Sequence, residues 1–138
     1  MKNIIFWILR WTWELPQTLV GLIVFLTTTS YAVKSKRTSF YRRVKGFGVS
    51  LGGFIFFDDS YDPWVPYHET GHAIQSRILG PLYLLLVGLP SLLFNILTQM
   101  KVFNVLTYYT RYPENWADLL GGVKRDSTEE PPPFGPNS

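Results

Sequence analysis

Cysteine is absent from the 138-residue chain, which excludes a disulfide framework and any thiolate metal site. A metal ion could therefore be held here only by His, Asp or Glu. Charge is sparse as well, at 17% of residues against roughly 25% in an ordinary soluble domain. The net charge is only +3, and the basic residues are interleaved with aromatics rather than gathered into a stripe, which argues against a nucleic-acid partner. No internal repeat is visible. Histidine is nearly missing too: the chain has two, both within five residues.

What is abundant is apolar and aromatic, at 46% and 17% of residues, and it is concentrated in two blocks. The first covers residues 4–33. A signal peptide needs a short basic start and an unbroken apolar run, whereas this run is interrupted by Arg10 and Glu14. A retained membrane anchor over 1–33 fits better. Pro16 divides it, so residues 16–33 (PQTLVGLIVFLTTTSYAV) are expected to form a transmembrane helix. Residues 3–14 (NIIFWILRWTWE) would then lie at the interface, where Trp rings prefer to sit, with Arg10 and Glu14 spaced to pair on one helical face. The following stretch 34–45 (KSKRTSFYRRVK) carries six Lys or Arg and no acid, which marks a basic cytoplasmic loop. The second block, 82–97 (LYLLLVGLPSLLFNIL), is short for a span and holds Gly88 and Pro90 at its middle.

Between the blocks, the apolar stretches 47–51 and 54–57 flank Gly52-Gly53, the pattern of a β-hairpin or a bulged strand. Asp58, Asp59, Asp62, Pro63 and Pro66 make a turn-rich loop. Residues 67–79 read as a helix stopped by Gly80-Pro81, and PENWADLL as a helix opened by Pro113 and closed by Gly121-Gly122. The tail 126–138, with three consecutive prolines, reads as disordered.

Two motifs bear on chemistry. GVSLG at 48–52 has the letters of a nucleophile elbow, with Ser50 followed by Asp58, Asp59 or Asp62 and a His. That elbow needs a helix after it and a large α/β sheet, but GFIFF reads as strand and the chain is too short. HETGH at 68–72 is more specific. Residues four apart share a helical face, so His68 and His72 can reach one tetrahedral ion, with Glu69 beside the open position as a proton acceptor. Gly71 costs the helix roughly 1 kcal/mol relative to Ala, which implies that another element approaches closely there. A third ligand must come from elsewhere. Glu114 supplies a carboxylate, and Asp118, four residues on, can hydrogen-bond a ligand imidazole from behind.

HExxH followed by E-x-x-A-D (His68, Glu69, His72, then Glu114, Ala117, Asp118) resembles the gluzincin zinc metallopeptidases, particularly the membrane-bound HtpX and CAAX-prenyl-protease type. The run HETGHAIQSRILGPLYLLLVGLPS is also similar to small bacterial membrane proteins of unassigned activity, over roughly residues 45–125. The resemblance implies a Zn2+ site with His68, His72 and Glu114 as ligands, Glu69 as general base and Asp118 as the supporting acid. It implies an edge strand beside the cleft, for which 53–57 is similar in placement. No further His is left to stabilise an oxyanion, so Tyr108, Tyr109, Arg111 and Tyr112 are the candidates.

Ligands that share one ion must lie on one side of a membrane, so 82–97 is expected to enter and return as a re-entrant apolar hairpin divided at Gly88-Leu89-Pro90. The expected architecture is mainly α: a small integral membrane protein with a single domain over 1–125. It would comprise an N-terminal transmembrane helix, a short β-hairpin or edge strand, the HExxH helix, the re-entrant hairpin and a C-terminal ligand helix. The expected function is a membrane-bound zinc metallopeptidase in the bacterial cytoplasmic membrane. Its active site would face the cytoplasm, its surroundings would be the lipid bilayer, and its substrate would be a peptide or membrane protein. The competing class is a non-catalytic membrane protein that holds zinc structurally, or holds nothing, and acts through a protein partner.

Overall fold

The computed structural model describes residues 2–28, 32–36, 39–60, 62–125, 127–132 and 134. Two helices come first, α1 (Lys2–Trp11) and α2 (Leu15–Thr27). Four strands follow: β1 (Ala32–Lys36), β2 (Ser39–Arg43), β3 (Val49–Leu51) and β4 (Phe54–Phe57). They form one sheet in the order β1-β2-β4-β3, with β2 and β4 parallel and the other neighbours antiparallel. Gly52, at φ +60°, makes the turn expected between β3 and β4 and sets Leu51 opposite Phe54. FIFF is apolar at every position and is buried throughout, as an interior strand covered on both faces should be.

Helix α3 (Val65–Leu79) opens with Pro66 in its first turn, where the missing N–H is harmless, and ends at Gly80 with φ +56°. A 3₁₀ turn (Gly80–Leu82) and a π-helical turn (Leu84–Gly88) lead into α4 (Leu89–Gln99). Helix α5 (Val105–Thr110) and helix α6 (Glu114–Gly121) follow, the latter closed by left-handed Gly122 and by Val123 N–H donating to the Asp118 carbonyl. The sheet lies between α3 and α2. On one face Tyr41, Ile55 and Phe57 pack with Val65 and Ala73 of α3. On the other, Val44, Leu51, Phe54 and Phe56 meet Leu22, Val24 and Phe25 of α2.

The N-terminal block forms no membrane-crossing helix among the described residues. Helix α2 has 13 residues, so it reaches about 20 Å, short of a hydrocarbon core of about 30 Å. No helix among the described residues is long and apolar enough to cross a membrane. The transmembrane helix expected over 16–33 is therefore absent from the described part of that stretch, and from residue 32 the chain is strand; residues 29–31 lie outside the described residues. The expected integral-membrane fold and its placement in a bacterial cytoplasmic membrane rested on that helix and fall with it. The physical reason is a set of buried polar side chains that a hydropathy window averages away. Arg10 donates to Ser39 Oγ at 2.9 Å, and Ser76 Oγ donates to Glu14 Oε1 at 2.6 Å. Gln17 Nε2 donates to Ser76 Oγ and to the Gly80 carbonyl. These bonds tie α1 and α2 to β2 and α3, and Gly21 seats α2 directly on Leu51 and Phe54.

The basic stretch 34–45 is also structured where described, as parts of β1 and β2; residues 37 and 38 lie outside the described residues. The second block does not turn back at Gly88-Leu89-Pro90. Gly88 and Leu89 keep helical angles, and the π turn passes straight into α4. Pro90 falls in the first turn of α4, directly after the π turn; it has no N–H for the Leu86 carbonyl, and that carbonyl accepts from the Tyr112 hydroxyl. Reversal comes later, around Lys101 at φ 60°. Helix α4 buries none of its residues, and Leu89, Leu92, Leu93 and Ile96 are exposed. Of the expected disordered tail, residues 126, 133 and 135–138 lie outside the described residues. Tyr67 donates to the Pro132 carbonyl, and Phe134 packs on Tyr41 and Phe57.

Helices α3 and α6 approach to backbone contact. A Cβ on Gly71 would stand 1.9 Å from the Ala117 carbonyl oxygen, and one on Gly121 would stand 2.1 Å from the Tyr67 carbonyl oxygen. Neither neighbour is a side chain that can swing away. Gly71→Ala is expected to destabilise the fold by roughly 3 kcal/mol, the upper range for overpacking. Gly88→Ala, whose Cβ would meet Leu84 at an ordinary 3.6 Å, should instead gain up to about 1 kcal/mol of helix propensity. Chemical denaturation of the two variants checks the opposite signs.

Candidate metal centre

The close approach of α3 and α6 brings the sequence-identified ligands together. His68 Nε2 lies 2.9 Å from Glu114 Oε2, His72 Nε2 lies 3.1 Å from the same oxygen, and the two Nε2 atoms are 3.1 Å apart. All three side chains are buried, and they form a cluster that could hold a metal ion. Bonds of about 2.05 Å to a tetrahedral zinc would set ligand atoms about 3.3 Å apart, so a small relaxation outward accommodates the ion.

The hydrogen bonds behind the ligands decide which atoms face inward. Asp118 Oδ1 is 2.6 Å from His68 Nδ1. Asp118 also receives Arg125 Nε on Oδ2 at 2.5 Å and Arg125 Nη2 on Oδ1 at 3.1 Å, so it is ionised and can only accept. His68 Nδ1 must carry the hydrogen. His72 Nδ1 likewise faces Gln75 Oε1 at 2.7 Å. With both Nδ1 atoms protonated, two imidazole lone pairs and a carboxylate oxygen converge at about 3 Å with no hydrogen among them. That arrangement is repulsive unless a cation sits between them.

In the metal-free chain a proton fills the role. Burial works against charge on His68, but hydrogen bonds from its ring to Asp118 and Glu114 outweigh that and raise its pKa to about 9. Burial likewise opposes the charge on Glu114, and the two imidazoles overcome it, holding Glu114 below the usual carboxylate range. Asp118 is also held low: burial opposes, while His68 and Arg125 prevail. Glu69 goes the other way. It is 5% exposed, its Oε2 has no hydrogen-bond partner, and burial raises its pKa. Its room is made by Gly48, where a Cβ would stand 2.5 Å from Glu69 Oε1.

Glu69 and His72 floor a cavity of about 640 Å³. One wall is Phe47, Gly48 and β3; the other is Leu84, Gly88, Leu89, Leu92 and Ile96. The edge strand at the cleft is thus β3 (Val49–Leu51), not the expected 53–57, which lies inside the sheet as β4. The wholly apolar strand takes the covered position and the mixed VSL takes the edge. Of the four expected oxyanion stabilisers, Tyr108 lines the cavity, and burial raises its pKa. Tyr109 packs edge-on against the His68 ring on one side and under the Arg125 guanidinium on the other. Arg111 lies over Phe103, and Tyr112 donates to the Leu86 carbonyl, both away from the cavity lining. Ser50 lies in β3 and is followed by a turn and a strand, so the elbow geometry is missing.

Three contributors were not identified from sequence. Gln75 and Arg125 stand behind the ligands, and Tyr83 bridges to the Ser50 carbonyl at 2.9 Å. A buried carboxylate at 118 does call for a cation, but nothing in the letters selects Arg125 over its neighbours. Comparison with models of known families, with curated proteins and with solved structures finds no match for this chain.

Because His68 holds a proton up to about pH 9, an ion entering the site must displace it. Metal affinity is therefore expected to rise with pH through neutrality and to level off above about 9, with one proton released from His68 per ion. Titration calorimetry in buffers of different ionisation enthalpy measures that proton. In the metal-free protein the sign for stability is opposite. His68 contributes fully below its ordinary pKa of 6.5, and the contribution fades as pH rises through about 9.

Proposed function

We propose that this chain is a zinc-dependent peptidase of the kind its HExxH and E-x-x-A-D motifs resemble. The observation that carries the reading is Glu69: a buried carboxylate with a free oxygen, on the floor of an open cavity, next to a metal-ligand cluster. Two imidazole nitrogens and one carboxylate oxygen with an open fourth position suit zinc, whereas calcium and magnesium favour all-oxygen sites. When bound, the ion supplies a Lewis acid that polarises a carbonyl and acidifies water.

The chain's own residues provide the rest. Glu69 takes the proton of the attacking water as the oxygen–carbon bond forms, then delivers it to the departing amine nitrogen as the carbon–nitrogen bond breaks. Burial suits it to the first task, since a carboxyl with raised pKa is a stronger base. Tyr108, kept protonated, offers a donor toward the oxygen that gains negative charge. The β3 edge offers backbone groups to an extended peptide, as exposed sheet edges do. His68, His72 and Glu114 hold the ion, while Asp118, itself held by Arg125, keeps His68 in the ligating tautomer.

Glu69→Gln removes the base and keeps the volume. It is expected to retain zinc at one ion per chain and to lower cleavage of unfolded-protein and peptide substrates by at least about 100-fold. Metal analysis together with turnover checks both parts. Full activity in Glu69→Gln, or a wild-type protein that binds no zinc, would overturn the assignment.

A further inference from the structure

Gln75 has no task in the chemistry above, yet it is fully buried and both ends of its side chain are engaged. We infer that Gln75 is a positioning residue that aligns two metal ligands at once, His72 through its oxygen and Glu114 through its nitrogen.

The partners of the amide fix its orientation. Gln75 Nε2 donates to the Pro113 carbonyl at 3.0 Å. A carbonyl only accepts, so the end of the amide facing it must be the nitrogen, and the end facing His72 must be the oxygen. His72 Nδ1, 2.7 Å from that oxygen, therefore carries the hydrogen, and its Nε2 lone pair faces the ligand cluster. At the other end, Pro113 immediately precedes Glu114, and its carbonyl also accepts the Ala117 N–H at 3.1 Å in the first turn of α6. Holding that carbonyl fixes the point from which the Glu114 side chain departs. One rigid amide on α3 thus sets the separation between a ligand on its own helix and a ligand on α6.

Charge explains why an amide stands there rather than a second aspartate-like partner. Asp118 is matched by Arg125. A divalent ion would be matched by Glu69 and Glu114. A carboxylate at 75 would add a negative charge with no cation given to it, at a fully buried position where that is most costly.

The inference rests on the zinc reading of the site, and the test separates the two. Zinc affinity would be measured by competition with a chromophoric chelator, and ligand geometry from the visible absorption of the cobalt-substituted protein. Gln75→Met keeps length and burial but neither hydrogen bond. It is expected to bind zinc 10- to 100-fold more weakly, as loss of a ligand's supporting partner does, and to change the cobalt spectrum. Gln75→Glu costs fold stability through its unmatched charge, but once folded it keeps the acceptor for His72 and loses the donor to Pro113, so its affinity should lie between those of wild type and Gln75→Met. A merely structural glutamine would lower the melting temperature of the metal-free protein and leave the affinity and cobalt spectrum of folded protein unchanged. That result in Gln75→Met would overturn the inference, as would a Gln75→Glu affinity no better than that of Gln75→Met. Should Gln75→Met fail to fold, Gln75→Glu decides alone: wild-type affinity with a wild-type spectrum overturns it. Absence of zinc from the wild type would instead remove the site reading on which it rests.

Discussion

The contact between α3 and α6 is closer than side-chain packing permits, and the whole centre depends on it. Helices usually stand 8–10 Å apart because side chains intervene. Here Gly71 and Gly121 remove the obstacle, and each presents bare backbone to a carbonyl of the other helix. The two helices run antiparallel, so each step of four along α3 is met by a step of four back along α6. His68 meets Asp118, and His72 meets Glu114. Spacing within each helix would be useless without that register, because a ligand set drawn from two elements needs both the correct face and the correct height.

Closeness has an electrostatic consequence. Glu69, Glu114 and Asp118 are carboxylates at buried positions, and burying one unpaired charge costs several kcal/mol. The structure meets this with cations at two points. Arg125 covers Asp118 from outside and reaches on to Asp62 at 3.1 Å. Inside, burial opposes charge on His68, but Asp118 and Glu114 outweigh it and raise its pKa to about 9, while the imidazoles outweigh burial at Glu114 and hold it low. A buried site that holds a proton this tightly at the meeting point of two nitrogen lone pairs and an oxygen is arranged for positive charge at that point. The same three residues form the cluster that could hold a metal ion.

The parts of this arrangement legible in the sequence are those governed by local spacing. Four-residue intervals put His68 and His72 on one face and Glu114 and Asp118 on another, and the Gly71 irregularity forecast a close neighbour. Gly52-Gly53, Gly80 and Gly122 closed the elements they were expected to close. Illegible were the partners fixed only by tertiary contact, such as Arg125, which reaches Asp118 after the chain has passed the Gly122 cap. Hydropathy misled over 16–33 and 82–97 because it sums residues without regard to what they face. Gln17 and Thr18 are fully buried polar residues inside an apolar window, and their bonds and contacts fix α2 to α3 and the β3–β4 turn. Pro90, expected as the apex of a hairpin, stands just after a π turn in a helical run that does not reverse there.

Two glutamates near the same pair of imidazoles meet opposite fates, and this divides the proposed ligand from the proposed base. Glu114 Oε2 stands within 3.1 Å of both ring nitrogens and is held ionised. Glu69, one residue from His68 on α3, projects toward Gly48 instead, where burial dominates and its pKa rises. Nothing in the side chains themselves separates the roles. The difference lies in what stands opposite each one: two imidazoles in one case, a glycine without a side chain and an open cavity in the other. A Cβ at 48 would occupy the space around Glu69 Oε1, so the missing side chain there keeps the two acids apart in position, a separation that motif letters at 68–72 cannot express.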